Sequence, residues 1–211
     1  MHDDFRFGRI TAVGWILLAT GMSAYAAAPS LGDAPTIVYS ESSVRVIHET
    51  VDVSVDFDRF TTRLEHLLGH YDPSVNGLFG NDPTLAIQRM KAMEGTDRFM
   101  IFASQNHGAL LSIAGKPTRA KRYHIGNPLI ALDMTRHQVG TGLYAPLTIL
   151  IYETGPSSVR IEFDNPSSLF GQFNDAAVTA IAVRLDSSLR DVIEKAALPD
   201  DPSLLSCWTR T

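Results

Sequence analysis

The stretch LTILIYETGPSSVRIEF, residues 147–163, decides the fold. Leu147 to Tyr152 is nearly all apolar and rich in β-formers, the composition of a central strand. Thr154-Gly155-Pro156-Ser157 supplies turn chemistry, and Val159, Ile161 and Phe163 then alternate with Arg160 and Glu162. Two such runs across a short Gly-Pro turn make a β-hairpin. One strand of the pair is too apolar to face water, so a further layer must cover it.

The covering elements lie on both sides in the sequence. Downstream, Val178, Ile181, Ala182, Leu185, Leu189, Val192, Ile193 and Ala196 recur at spacings of three and four, and Pro199 stops the run. This is a long amphipathic helix with one apolar stripe. Upstream, Phe57, Phe60, Leu64, Leu67 and Leu68 repeat the pattern after a capping Asp56 or Asp58, with Gly69 as the expected C′ residue. Before that helix, Val44, Val46, Val51, Val53 and Val55 alternate in two phases, which reads as one long or bulged strand. Asp82-Pro83 and Asn127-Pro128 each place a cap before a proline and open short helices. Phe99–Ala103 and Arg119–Ile125 read as strands, and residues 107–114 suit either a helix or a turn. Neither strict βαβ alternation nor separate blocks fits this order. The expected fold is α+β: a single compact domain, with a small mixed β-sheet of about five strands and helices packed on it.

Residues 126–153 carry a resemblance. Gly126-Asn127-Pro128, Ala131, Met134, Gly142-Leu143-Tyr144-Ala145-Pro146 and the strand ending Tyr152-Glu153 are similar to the core of the domain-of-unknown-function 302 family. Val51–Leu68 resembles its Thr/Val-rich lead-in strand and Phe-Asp helix start. Gln105-Asn106-His107-Gly108-Ala109 resembles its Asp-His-Gly motif, with Asn106 where relatives carry Asp. The likeness spans residues 43–197, with residues 70–97 reading as an insertion. It implies a compact α+β fold and no particular chemistry.

The ends of the chain set the compartment. Arg6 and Arg9 precede the apolar run Ile10–Ala19, and Ala24-Tyr25-Ala26 is an A-x-A cleavage signal. Residues 1–26 are therefore expected to be a signal peptide and the domain periplasmic or secreted; an uncleaved segment would tether it to a membrane. Residues 27–42 read as a linker and 198–211 as a C-terminal tail. Cys207 is the single cysteine, so no intramolecular disulfide forms.

Composition narrows function. With 211 residues, 45% hydrophobic content and a net charge of −5, the chain can bury a core and has no electrostatic reason to seek nucleic acid. Lys116, Arg119, Lys121 and Arg122 read as a solvated strand edge. There is no nucleophile elbow, Gly-rich phosphate loop, His-Glu-x-x-His or Cys-x-x-Cys motif.

Polar residues near strand ends are the candidate site. His66 and His70 have helical i, i+4 spacing, but Gly69 breaks the helix between them. His107 follows a strand at Gly108, and His124 lies in a strand just before Gly126-Asn127. Asn127 is an N-cap whose helix offers N–H groups to an anion, with Arg160 or Arg122 as a converging cation and Glu153 as a carboxylate pairing with Arg160 across the hairpin. The expected ligand-binding set is Asn106, His107, His124, Asn127, Glu153 and Arg160. The reading is a non-enzymatic, exported module that binds a small anionic ligand or forms a homodimer, with no cofactor. The alternatives are a metal- or haem-binding protein using His107 and His124, and a hydrolase with His107 as base.

Overall fold

A computed structural model describes residues 37–198. The expectations for the signal peptide, most of the linker, Cys207 and the tail lie outside the described residues. Residues 37–47 are irregular and exposed. The first strand is thus shorter than its alternation suggests, because Val44 and Val46 find no partner strand.

Six strands form one sheet: β1 His48–Val53, β2 Gly69–His70, β3 Met100–Asn106, β4 Ala120–Gly126, β5 Leu147–Gly155 and β6 Ser158–Asp164. Their order is β1-β6-β5-β4-β3-β2, antiparallel except for β2 beside β3. The hairpin β5–β6 is central. The sixth strand, β2, has two residues and arises where a helix end was expected. Gly69 donates its N–H to Phe99 O at 3.0 Å. A Cβ on Gly69 would lie 1.7 Å from Met93 O, so the residue is fixed by close backbone approach rather than by a left-handed helix cap.

The helices are α1 Phe57–Leu67, α2 Pro83–Ala92, α3 His107–Ser112, α4 Pro128–Thr135, α5 Pro166–Phe170 and α6 Ala176–Ala197. Local chemistry starts each of them. Asp56, Asp82, Asn106, Asn127, Asn165 and Asp175 accept hydrogen bonds from first-turn N–H groups, and Pro83, Pro128 and Pro166 occupy first-turn positions.

Residue parity sets the layers. Tyr123, Ile125, Ile149, Ile151, Val159, Ile161 and Phe163 are buried beneath Phe60 and Leu64 of α1 and Val178, Ala182, Leu189 and Val192 of α6. Burying each large side chain stabilises the fold by roughly 1.5–3 kcal/mol before entropy is counted. The alternate residues Arg122, His124, Leu150, Tyr152, Arg160 and Glu162 project from the other side and join no apolar cluster. A second, smaller cluster of Val75, Ala86, Met90 and Leu129 lies between α2 and α4.

Candidate functional site

The six residues expected to converge do not. Asn106 pairs in register with Lys121, whereas His124 pairs with Ala103, three positions away along β3. Three strand steps are about 10 Å, and His107 begins α3 beyond Asn106. His124 also points to the open side of the sheet, opposite to the side on which Lys121 reaches α1. His107 and His124 are therefore not placed to share one ion or one haem. Among the described residues no group of three or more His, Cys, Asp or Glu is arranged to hold a metal ion.

Five of the six have a local part. Asn106 Oδ1 accepts from Ala109 N at 2.9 Å, capping α3. His124 Nδ1 lies 3.3 Å from Thr148 Oγ1, and burial, helped by the Arg122 charge, lowers its pKa below the ordinary 6.5. Glu153 does not pair with Arg160. The register sets Tyr152 opposite Arg160 and Glu153 opposite Val159, so the two charges point to different faces. Arg160 instead grips Asp52 at 2.7 and 2.9 Å. Glu153 takes Arg119 at 2.8 and 3.1 Å, which holds its carboxyl below the usual range. Arg119 also reaches Asp56 at 3.0 Å and Asp58 at 2.8 Å, and its guanidinium lies 5.5 Å from the Phe57 ring centre. Lys121 binds Glu65 at 3.0 Å, and that carboxylate accepts the buried Tyr123 hydroxyl at 2.6 Å. Arg119 and Lys121 of the basic cluster are accordingly interlayer ties, whereas Lys116 is exposed and Arg122 projects from the open side of the sheet.

Asn127 is the hinge of a different site. It is 5% exposed. Its Oδ1 accepts from Leu129 N at 2.8 Å and Ile130 N at 3.3 Å; its Nδ2 donates to Glu94 Oε1 at 2.7 Å and Arg98 O at 2.8 Å. Its side chain is fully engaged, Pro128 has no N–H, and the next two N–H groups of α4 are already bonded. The helix start therefore has no donors left for an anion. What Asn127 does is hold α4 against the 94–98 segment. Gly126 is not sterically required, since a Cβ there would meet Pro146 and Phe102 at ordinary contact distances of 3.5–3.7 Å.

Beside this corner a cleft of about 570 Å³ opens between α2 and α4. Ala86, Ile87 and Met90 form one wall, Leu129, Leu132 and Met134 the other, and Phe99, Phe102, Leu147 and Phe170 the floor. Tyr71 stacks on Phe102 with centroids 4.5 Å apart, and its hydroxyl is taken by Asn76. Thr135 Oγ1 donates to Ala131 O at 2.9 Å. The polar side chains in the lining are thus committed elsewhere and the free surface is chiefly hydrocarbon. The size lies within the usual range for small-molecule sites. Three residues at its mouth stay exposed although large and apolar: Phe79 at 48%, Ile87 at 39% and Leu132 at 55%.

Of the six candidates named from the sequence, only Asn127 touches this cleft. The missed residues left one trace in the sequence. Apolar Leu78 and Phe79 interrupt a Pro/Gly/Asn/Asp loop, where solvent alone would not favour them.

The family model described as Domain of unknown function DUF302 matches residues 80–196. The chain belongs to that family. The match begins inside the stretch 70–97 that reads as an insertion, so α2 and its wall of the cleft fall within the matched region. The crystal structure of the uncharacterized conserved protein DUF302 from Bacillus stearothermophilus is similar, with a TM-score of 0.50, 19% identity, and coverage of 71% of this chain and 97% of that one. At this identity the likeness concerns the fold alone. No curated protein matches the chain. Among the described residues no helix is long and apolar enough to cross a membrane.

Proposed function

We propose that this protein is an exported, non-enzymatic binding domain that holds a small apolar molecule in the cleft between α2 and α4. The observation that carries the reading is the cleft itself: hydrocarbon walls, committed polar groups and an apolar rim left in water. Exposed apolar rims around a concavity are where soluble domains accept apolar ligands. The small anionic ligand expected from the sequence finds no support in this geometry, because the α4 donors are occupied and Arg160 and Arg119 are held by carboxylates. Export rests on the charged start, apolar run and A-x-A signal of residues 1–26.

The test is titration with N-phenyl-1-naphthylamine, an apolar dye that brightens out of water. The wild-type chain should bind it saturably. Ile87→Glu and Leu132→Glu, both at exposed positions that tolerate charge in the folded state, should each weaken binding at least about tenfold, about 1.4 kcal/mol. His107→Ala should leave it unchanged. Absence of saturable binding, or binding indifferent to both rim charges, refutes the reading.

A further inference from the structure

The open side of the sheet is arranged to meet its own copy. One row of side chains crosses five strands there: Gln105 on β3, Arg122 on β4, Leu150 on β5, Glu162 on β6 and Thr50 on β1, each opposite the next in register. The row is cationic on one side of Leu150 and anionic on the other, at equal distances from the central strand. Nε of Arg122 is shielded from solvent and meets no hydrogen-bond acceptor, so the guanidinium is only partly provided for within its own chain. Glu162 accepts the Tyr152 hydroxyl at 2.7 Å through one oxygen and presents the other 3.6 Å from His48 Nε2.

We propose that this face is a homodimer interface, with the twofold axis running parallel to β5 between two stacked sheets. Such an axis exchanges β4 and β6 and leaves height along the strands unchanged. It lays Leu150 on Leu150 and sets Arg122 of each copy over Glu162 of the other, giving two identical charge pairs around an apolar centre. Isologous contacts need this kind of self-complementarity. Facing sheets sit about 10 Å apart, a gap that an arginine and a glutamate together span. Five strands about 4.8 Å apart and six residues long present roughly 500 Å² per copy, so the pair buries about 1,000 Å², the lower bound for a specific interface. The inference is independent of the cleft, because none of the five residues in this row lines it.

Sedimentation equilibrium on the full chain tests it. The expected mass is twice the 23.1 kDa of one chain. Arg122→Glu and Glu162→Arg should each weaken association at least tenfold, and Leu150→Glu should abolish it. An equimolar mixture of the Arg122→Glu and Glu162→Arg chains should recover dimers, because each variant carries the sign that the other lacks at both contacts. Recovery also shows that both variants fold. A monomeric wild type overturns the proposal, as does a mixture that stays monomeric. A dimer that survives Leu150→Glu and yields to Leu132→Glu would place the interface on the cleft rim instead, and overturns it too.

Discussion

Strand β5 has two sides with opposite fates. Ile149 and Ile151 are fully buried beneath α1 and α6, while Leu150 and Tyr152, their chain neighbours, stand on a side where no apolar cluster forms. The backbone, the hydrogen-bonded neighbours and the apolar character of the segment are shared, and only parity differs. On the covered side, stability comes from apolar area removed from water. On the open side, side chains answer one another with charge, Arg160 to Asp52 and His48 to Asp164 at 2.9 Å, while Arg122 keeps an unmatched Nε. A strand nearly continuous in apolar residues can therefore serve a one-sided sheet, provided the cross-strand neighbours of its outward residues are polar.

The difference between the sides can be broken most severely at Phe60. This ring is fully buried between the sheet and α6, so Phe60→Ala should cost about 3–5 kcal/mol in urea unfolding. Rim substitutions such as Leu132→Glu should shift the midpoint little. Equal losses at Phe60 and Leu132 would show that the covered side is not where stability resides. A smaller effect is expected at Asn127, whose removal strips a cap from α4 and the link to Glu94 and Arg98. Asn127→Ala should cost about 1–3 kcal/mol and also weaken dye binding, since the wall of the cleft loses its anchor. Lost stability with unchanged dye affinity would separate the corner from the cleft.

The smallest effect sharpens the open side. His124 has a depressed pKa, so the folded state resists its protonation; stability falls as pH drops below the unfolded value near 6.5. His48 has a raised pKa, chiefly from its hydrogen bond to Asp164. Its contribution is present below 6.5 and is lost as pH rises through the folded value. The two histidines oppose each other. On going from pH 7.5 to 5.5, His124→Gln should lose less stability than wild type, or gain more, and His48→Gln should lose more, or gain less, as read from urea midpoints at the two values. Parallel curves for all three proteins would remove both groups from the pH response.

Much of the fold was legible because it is local. The hairpin turn at Thr154–Ser157, the stripe along α6 and the caps at Asp82 and Asn127 each lie within a few residues, and they formed as expected. The two-residue β2 was not legible, because it depends on Gly69 meeting Met93 and Phe99 across the chain. The site was hardly legible at all. Histidines and strand-end carboxylates draw attention in a sequence, yet here they cap, tie layers or line an open face. The cleft is built from ordinary apolar residues on α2, α4 and β3, whose shared concavity has no sequence signature.

By itself, then, the sequence determined the α+β class, the central hairpin and the start of most helices, since periodicity, caps and turn residues act over one or two turns of chain. Only the tertiary structure decided which residues meet. Cross-strand register separated Glu153 from Arg160 and His107 from His124, and aligned Arg122, Leu150 and Glu162 in one row. A shift of one residue in pairing would exchange the two faces of a strand, and that choice is made by the packing of α1 and α6, far away in the chain.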